Sequence, residues 1–80
     1  MPVLGTPPAE MGLDVIMTHG EDYVRAILIS LSPQSASLKV PNECMSGAYR
    51  IFPLFPERDG LFELQGTLSS QEGDRISLDL

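Results

Sequence analysis

Short apolar runs recur along this chain at nearly regular intervals, and each is cut off by a cluster of Gly, Pro, Asn, Asp or Ser. That punctuation favours short β-strands over helices. Residues 13–18 form the first run, and His19-Gly20-Glu21-Asp22 supplies a turn. Residues 23–31 form a longer strand, with Tyr23, Ile27, Ile29 and Leu31 on one face and Val24, Ala26 and Leu28 on the other. Both faces are largely apolar, as in a strand flanked on both sides. After Ser32-Pro33-Gln34-Ser35, residues 36–40 alternate, with Leu38 and Val40 on one side. Pro41-Asn42-Glu43 and Ser46-Gly47 mark a loop. Residues 49–55 form a strand interrupted by Pro53, which has no N–H for a ladder and so demands an edge or a bulge.

Residues 56–60 end in Asp-Gly and read as a hairpin-type loop. In 61–68, Phe62, Leu64, Gly66 and Leu68 alternate with Glu63, Gln65 and Thr67. Residues 69–74 read as a polar turn, and 75–80 close the chain with Ile76, Leu78 and Leu80 facing inward. No convincing helix and no internal repeat is legible. The expected fold is all-β: a small six-stranded antiparallel barrel over 13–80, preceded by an irregular arm over 1–12 rich in Pro and Gly. Closure into a barrel also removes sheet edges that would otherwise aggregate.

With 80 residues the chain is one domain at most, and domains this small have thin margins, which leaves room for a protein partner or self-association. Hydrophobic residues make up 42% of the chain, enough for a core rather than a disordered tail. Eleven acids against five bases give a net charge of -6, which argues against nucleic acid and anionic membranes as partners. Cys44 is the only cysteine and His19 the only histidine, so neither a disulfide nor a multi-histidine metal site can be built, and no cofactor is expected. His19 reads as a solvated loop residue. Residues 1–8 hold neither a basic segment nor a long apolar run, so no signal peptide or anchor is expected, and one thiol without an export signal points to the cytoplasm. No Gly-x-Ser-x-Gly elbow frames a serine, so an enzyme is not expected. Glu57, Asp59, Glu63, Glu72, Asp74 and Asp79 match no calcium-loop spacing and read as a solvated face.

The order of these signals resembles a PilZ domain, a bacterial β-barrel family known for receiving cyclic di-GMP. In that family a strand runs into an Asp-x-Ser-x-x-Gly turn. Here the strand through Ile29 runs into Ser30-Leu31-Ser32-Pro33-Gln34-Ser35, followed by the small-x-apolar continuation Ala36-Ser37-Leu38. Gly47, the strand over 49–55 and Gly66 match the family's next loop and strands, so the resemblance spans 13–80. Of the three fixed turn positions, Ser30, Ser32 and Ser35, only Ser32 agrees with the family, which makes the turn a vestigial ligand turn. The family's upstream Arg-x-x-x-Arg clamp has no counterpart, since residues 1–24 contain no Arg or Lys. Each lost charge-assisted contact removes about 1.5–3 kcal/mol, and three or four such losses erase the roughly 8 kcal/mol of a micromolar affinity.

The resemblance therefore implies a degenerate binding module that acts through protein–protein contacts in bacterial signalling, motility or surface attachment, without binding cyclic di-GMP itself. Two alternatives stand beside it: a cyclic di-GMP receptor that takes its clamp arginines from elsewhere, and an unrelated small acidic barrel that inhibits or adapts another protein. The partner-binding candidates are Tyr49, Ile51, Phe52, Leu54 and Phe55, on a strand too apolar to bury both faces, together with Arg25; the plainer expectation for the apolar residues of this strand is a place in the core. The plainer expectation for Arg25 is an outward side chain paired with Glu21 or with an acid of a neighbouring strand.

Overall fold

Six strands pair edge to edge until the last meets the first. The computed structural model describes residues 12–80, so the arm expected over 1–12 lies outside the described residues except for Gly12. The strands are β1 (Leu13–His19), β2 (Asp22–Leu31), β3 (Ser35–Lys39), β4 (Ala48–Pro53), β5 (Leu64–Glu72) and β6 (Arg75–Asp79). They close into a barrel in the order β1-β2-β3-β6-β5-β4, with every neighbouring pair antiparallel. The six-stranded antiparallel barrel expected from the punctuation is the observed architecture.

Two strands do the work of closure. The first part of β2 pairs with β1 and the last part with β3, with a register shift between Leu28 and Ser30. Likewise β5 pairs first with β4 and then with β6, with a shift between Leu68 and Ser70. A bulge adds a residue on one strand, bends it and increases its twist, which lets one strand serve both sides of a small barrel. The bulge also corrects the facing expected for β2. Ile29 turns into the core beside Leu28, while Tyr23, Ile27 and Leu31 face solvent.

The register reveals an internal two-fold relation. From Val24 onward, positions of β2 and β3 have their equivalents 40 positions later in β5 and β6: Leu28 with Leu68, the bulge at Ile29 with that at Ser69, and Leu38 with Leu78. β1 maps onto β4 at a spacing of 34, which sets Val15 against Tyr49 and Met17 against Ile51. Met17 pairs with its own equivalent Ile51, and Ser37 with its own equivalent Ser77, so the pseudo-axis passes through those two pairs. The reading that the chain carries no repeat is therefore corrected. The repeat lies in pairing pattern and burial, and its sequence trace is as thin as Ser37-Leu38 against Ser77-Leu78.

The core is the inner row of these strands: Val15, Met17, Leu28, Leu38, Ile51, Ile76 and Leu78 are at most 2% exposed. Pro53 ends β4 beyond the last β4–β5 pair, Ile51 with Leu64, where a missing N–H costs no ladder bond, which meets the edge requirement. Two hairpins turn through Gly20-Glu21 and Gly73-Asp74, each opened by a glycine with positive φ. The polar turn expected over 69–74 is thus shorter than anticipated, because Ser69 to Glu72 belong to β5. The hairpin loop expected at 56–60 is instead one helical turn, α1 (Pro56–Asp59), begun by a proline whose fixed φ suits a first helical position.

The loop between β3 and β4 folds over one end of the barrel. Cys44 N–H donates to Gln71 Oε1 at 2.9 Å, and Tyr49 Oη–H donates to the Met45 carbonyl at 2.6 Å. His19 ends β1 rather than sitting in a loop, and its ring stacks on Tyr49 at 4.8 Å. Gly47 is required there: a Cβ would meet the His19 ring at 2.6 Å, and φ is +133°. Burial raises the pKa of the Cys44 thiol, and burial likewise raises that of the Tyr49 phenol.

Two expectations follow. Gly66 lies under the β6 backbone, where a Cβ would meet the Asp79 carbonyl and the Leu80 side chain, each at 2.9 Å. Gly66→Ala should therefore cost about 1–3 kcal/mol in urea denaturation, even though its two-fold equivalent, Ala26, already carries a methyl. With both pKa values raised in the folded state, stability should be fully present below the unfolded thiol range, near 8.5, and fall as pH rises through it and the phenol range. Thermal melts from pH 7 to 10.5 check this, and Tyr49→Phe should flatten the upper part of the decline.

Candidate interaction face

The outer wall carries the surface that the sequence pointed to, but not with all of the same residues. Alternation on β4 sends Tyr49, Ile51 and Pro53 inward, and Tyr49 and Ile51 are 5% and 0% exposed. Both were candidates for partner contact, and both are corrected to core residues. Arg50, Phe52 and Leu54 are left on the outside. Pairing then decides what lies beside them. Phe52 faces Ile16 across β1–β4, and Ile16 faces Arg25 across β1–β2, so Arg25, Ile16 and Phe52 form one row over three strands. The adjacent row holds Lys39, Ile27 and Asp14, and Leu54 N–H donates to the Asp14 carbonyl at 3.0 Å.

The face is apolar in its middle and ringed by charge. Ile16, Phe52 and Leu54 are half-buried, and Ile27 and Phe55 are each 37% exposed. Helix α1 borders the face and brings Arg58 over the Phe55 ring at 4.7 Å, a cation–π contact. Arg58 also pairs with Asp59 at 3.2 Å and with Asp14 at 4.0 Å, Arg50 pairs with Glu63 at 3.6 Å, and Lys39 with Asp74 at 3.8 Å. These pairs are exposed and each contributes little to stability. Arg25 differs: the expected pairing with Glu21 or a neighbouring acid is not formed, and it has no ion-pair partner among the described residues. Beside it Ile27, Lys39 and Pro41 border a depression of about 420 Å³.

The turn over Ser32 to Ser35, expected to be a vestigial ligand turn, is closed on itself. Ser32 Oγ–H donates to the Ser35 carbonyl at 3.2 Å and lies 3.0 Å from Ser35 Oγ, while Ser35 N–H donates to Ser32 Oγ at 3.1 Å. These hydroxyls satisfy the turn, as Ser does where a strand ends. Ser30 lies apart from them, exposed and opposite Ser37. Of the nominated residues the fold thus brings Arg25, Phe52, Leu54 and Phe55 to one face. Reading each strand singly missed Ile16 and Ile27, whose outward alternation was the available signal. Among the described residues no group of three or more His, Cys, Asp or Glu could hold a metal ion, and no helix is long and apolar enough to cross a membrane.

No protein-family model matches the chain, and it has no match among curated proteins or solved structures.

The inside–outside partition has a direct check in chemical denaturation. Ile51→Ala should cost about 2–5 kcal/mol, as truncation of a fully buried side chain does. Arg25→Ala, at an exposed position without an ion pair among the described residues, should change stability by no more than about 0.5 kcal/mol.

Proposed function

We propose that this barrel is a non-catalytic binding module that works through protein–protein contacts on the outer face of β2, β1 and β4. The observation that carries this reading is the row Arg25–Ile16–Phe52, which sets a cation without an ion pair among the described residues beside half-exposed apolar side chains. An exposed apolar strip with a polar rim is what a partner covers, and an arginine beside it offers a planar, bidentate donor to a partner carboxylate. The partner that fits presents an apolar surface with an acidic side chain opposite Arg25.

The order of strand and turn signals resembles a PilZ domain, and that resemblance extends the proposal to bacterial signalling, motility or surface attachment in the cytoplasm. It also bears on the ligand. The Ser32 and Ser35 hydroxyls are engaged within their own turn, and Arg25 lies on the outer wall facing Ile16. Neither arrangement offers a dianionic dinucleotide a clamp, so the domain works without cyclic di-GMP.

Calorimetric titration with cyclic di-GMP at low salt should give no saturable heat. A micromolar isotherm would overturn this reading in favour of a receptor whose phosphate contacts come from a second subunit. In parallel, proteins crosslinked to the wild-type chain in cells should be lost from the Arg25→Glu and Phe52→Ser variants, with both variants folded by circular dichroism. Retention in both variants would place the contact elsewhere on the barrel.

A further inference from the structure

A second candidate lies at the capped end of the barrel, where Tyr23 continues the outward row of β2 beyond Arg25. An open cavity of about 310 Å³ lies between the β1–β2 hairpin and the loop joining β3 to β4. Its chemistry is one-sided. Tyr23, Tyr49 and His19 supply rings, Asp22 and Glu43 supply carboxylates, and Met45 supplies a thioether, while no Lys or Arg lines it.

The described bases all lie outside this lining. Lys39, Arg50 and Arg58 are engaged with acids elsewhere, and Arg25 borders the depression on the outer wall. Two rim residues, Tyr23 and Met45, are 73% and 65% exposed and so are accessible to a guest. The back wall is rigid by contrast: Tyr49 is buried, stacked on His19 and bonded to the Met45 carbonyl. His19 Nδ1–H donates to the Ala48 carbonyl at 2.9 Å, which orients the ring and leaves Nε2 an acceptor in the neutral form.

Aromatic faces and thioethers attract cations, and carboxylates add charge of the right sign, so the complementary guest is positive and partly apolar. The stacked His19–Tyr49 wall is particular to one end of the pseudo-symmetric barrel. The two-fold equivalents of Tyr49 and His19 are Val15 and Pro53, which bring neither an aromatic ring nor a hydrogen-bonding side chain.

We infer that this mouth binds an alkylammonium group, with the Tyr23 and Tyr49 rings and the His19 imidazole as walls and Asp22 and Glu43 as counter-charges. The group arrives either as a lysine side chain of a protein or as a free small amine. This inference is independent of the outer-face reading, since it uses none of the residues of that face.

The test is an amide-resolved NMR titration of the full chain with Nα-acetyl-lysine methylamide, its Nε-trimethyl form and its neutral Nε-acetyl form. Saturable shifts should appear at Gly20 to Asp22 and Cys44 to Gly47 with both charged probes, and the neutral probe should bind at least about tenfold more weakly. Equal binding of the neutral probe, shifts confined to other residues, or no shifts with the charged probes would each overturn the inference. Glu43→Gln, in the loop, should weaken the charged probes several-fold without altering the remaining spectrum, and Asp22→Asn should add to that loss; unchanged affinity in both variants would refute the role of the carboxylates. Tetramethylammonium separates the sources. Affinity equal to that of the lysine probes assigns the site to free amines, and affinity at least about tenfold weaker assigns it to a lysine side chain.

Discussion

Closure of the sheet by two strands that each change partners is the constraint on which the rest of this structure depends. A six-stranded barrel of short strands closes only if some of them bend sharply, and here β2 and β5 do so at the bulges around Ile29 and Ser69. Because β2 turns from β1 to β3 and β5 from β4 to β6, the remaining strands meet as β1 with β4 and β3 with β6. The β1–β4 seam brings Met17 against Ile51 inside the barrel and Ile16 against Phe52 outside it, so the core and the proposed interaction face are set by the same pairing.

The two-fold relation clarifies where functional chemistry resides. The halves agree in their strands, bulges and inner rows, which is the part that stability requires. They differ in what joins the strands. β1 and β2 are joined by Gly20-Glu21, while the equivalent connection between β4 and β5 is long and carries α1. The loop between β3 and β4 is held by Gln71 and by Tyr49. The outer face takes its rim from α1, and the mouth takes its carboxylate and thioether from that loop. The divergence lies in these connections, which tolerate change better than a packed inner row, and in strand residues such as Tyr49 and His19, whose equivalents are Val15 and Pro53.

Charge is divided in the same way. The chain is acidic overall, yet Arg25, Lys39, Arg50 and Arg58 stand on or around one outer face, while Asp22 and Glu43 stand at the mouth. On that face Lys39, Arg50 and Arg58 are balanced by Asp74, Glu63, Asp14 and Asp59, while the mouth has acids and no Lys or Arg, a difference that net charge alone does not describe. The overall charge of -6 therefore understates how differently two parts of the surface present themselves.

Much of the fold was legible in the residues. Turn residues at near-regular spacing delimited six strands, and alternation sorted Leu38, Leu64, Ile76 and Leu78 inward, because side chains on a strand alternate with period two whatever strand lies beside it. The same alternation contained the split of β4 into inward Tyr49 and Ile51 and outward Phe52 and Leu54, although both kinds had been grouped as one apolar stretch. What only the tertiary structure decided was everything that depends on which strand meets which. The bulge that turns Ile29 inward, the pairing of Ile16 with Arg25 and Phe52, the stacking of His19 on Tyr49 and the repeat itself all arise from long-range registers. The sequence by itself determined the strands and their inner faces, since those follow from local periodicity. The face and the mouth were decided by closure, since each is assembled from strands and loops that come together only when the barrel is complete.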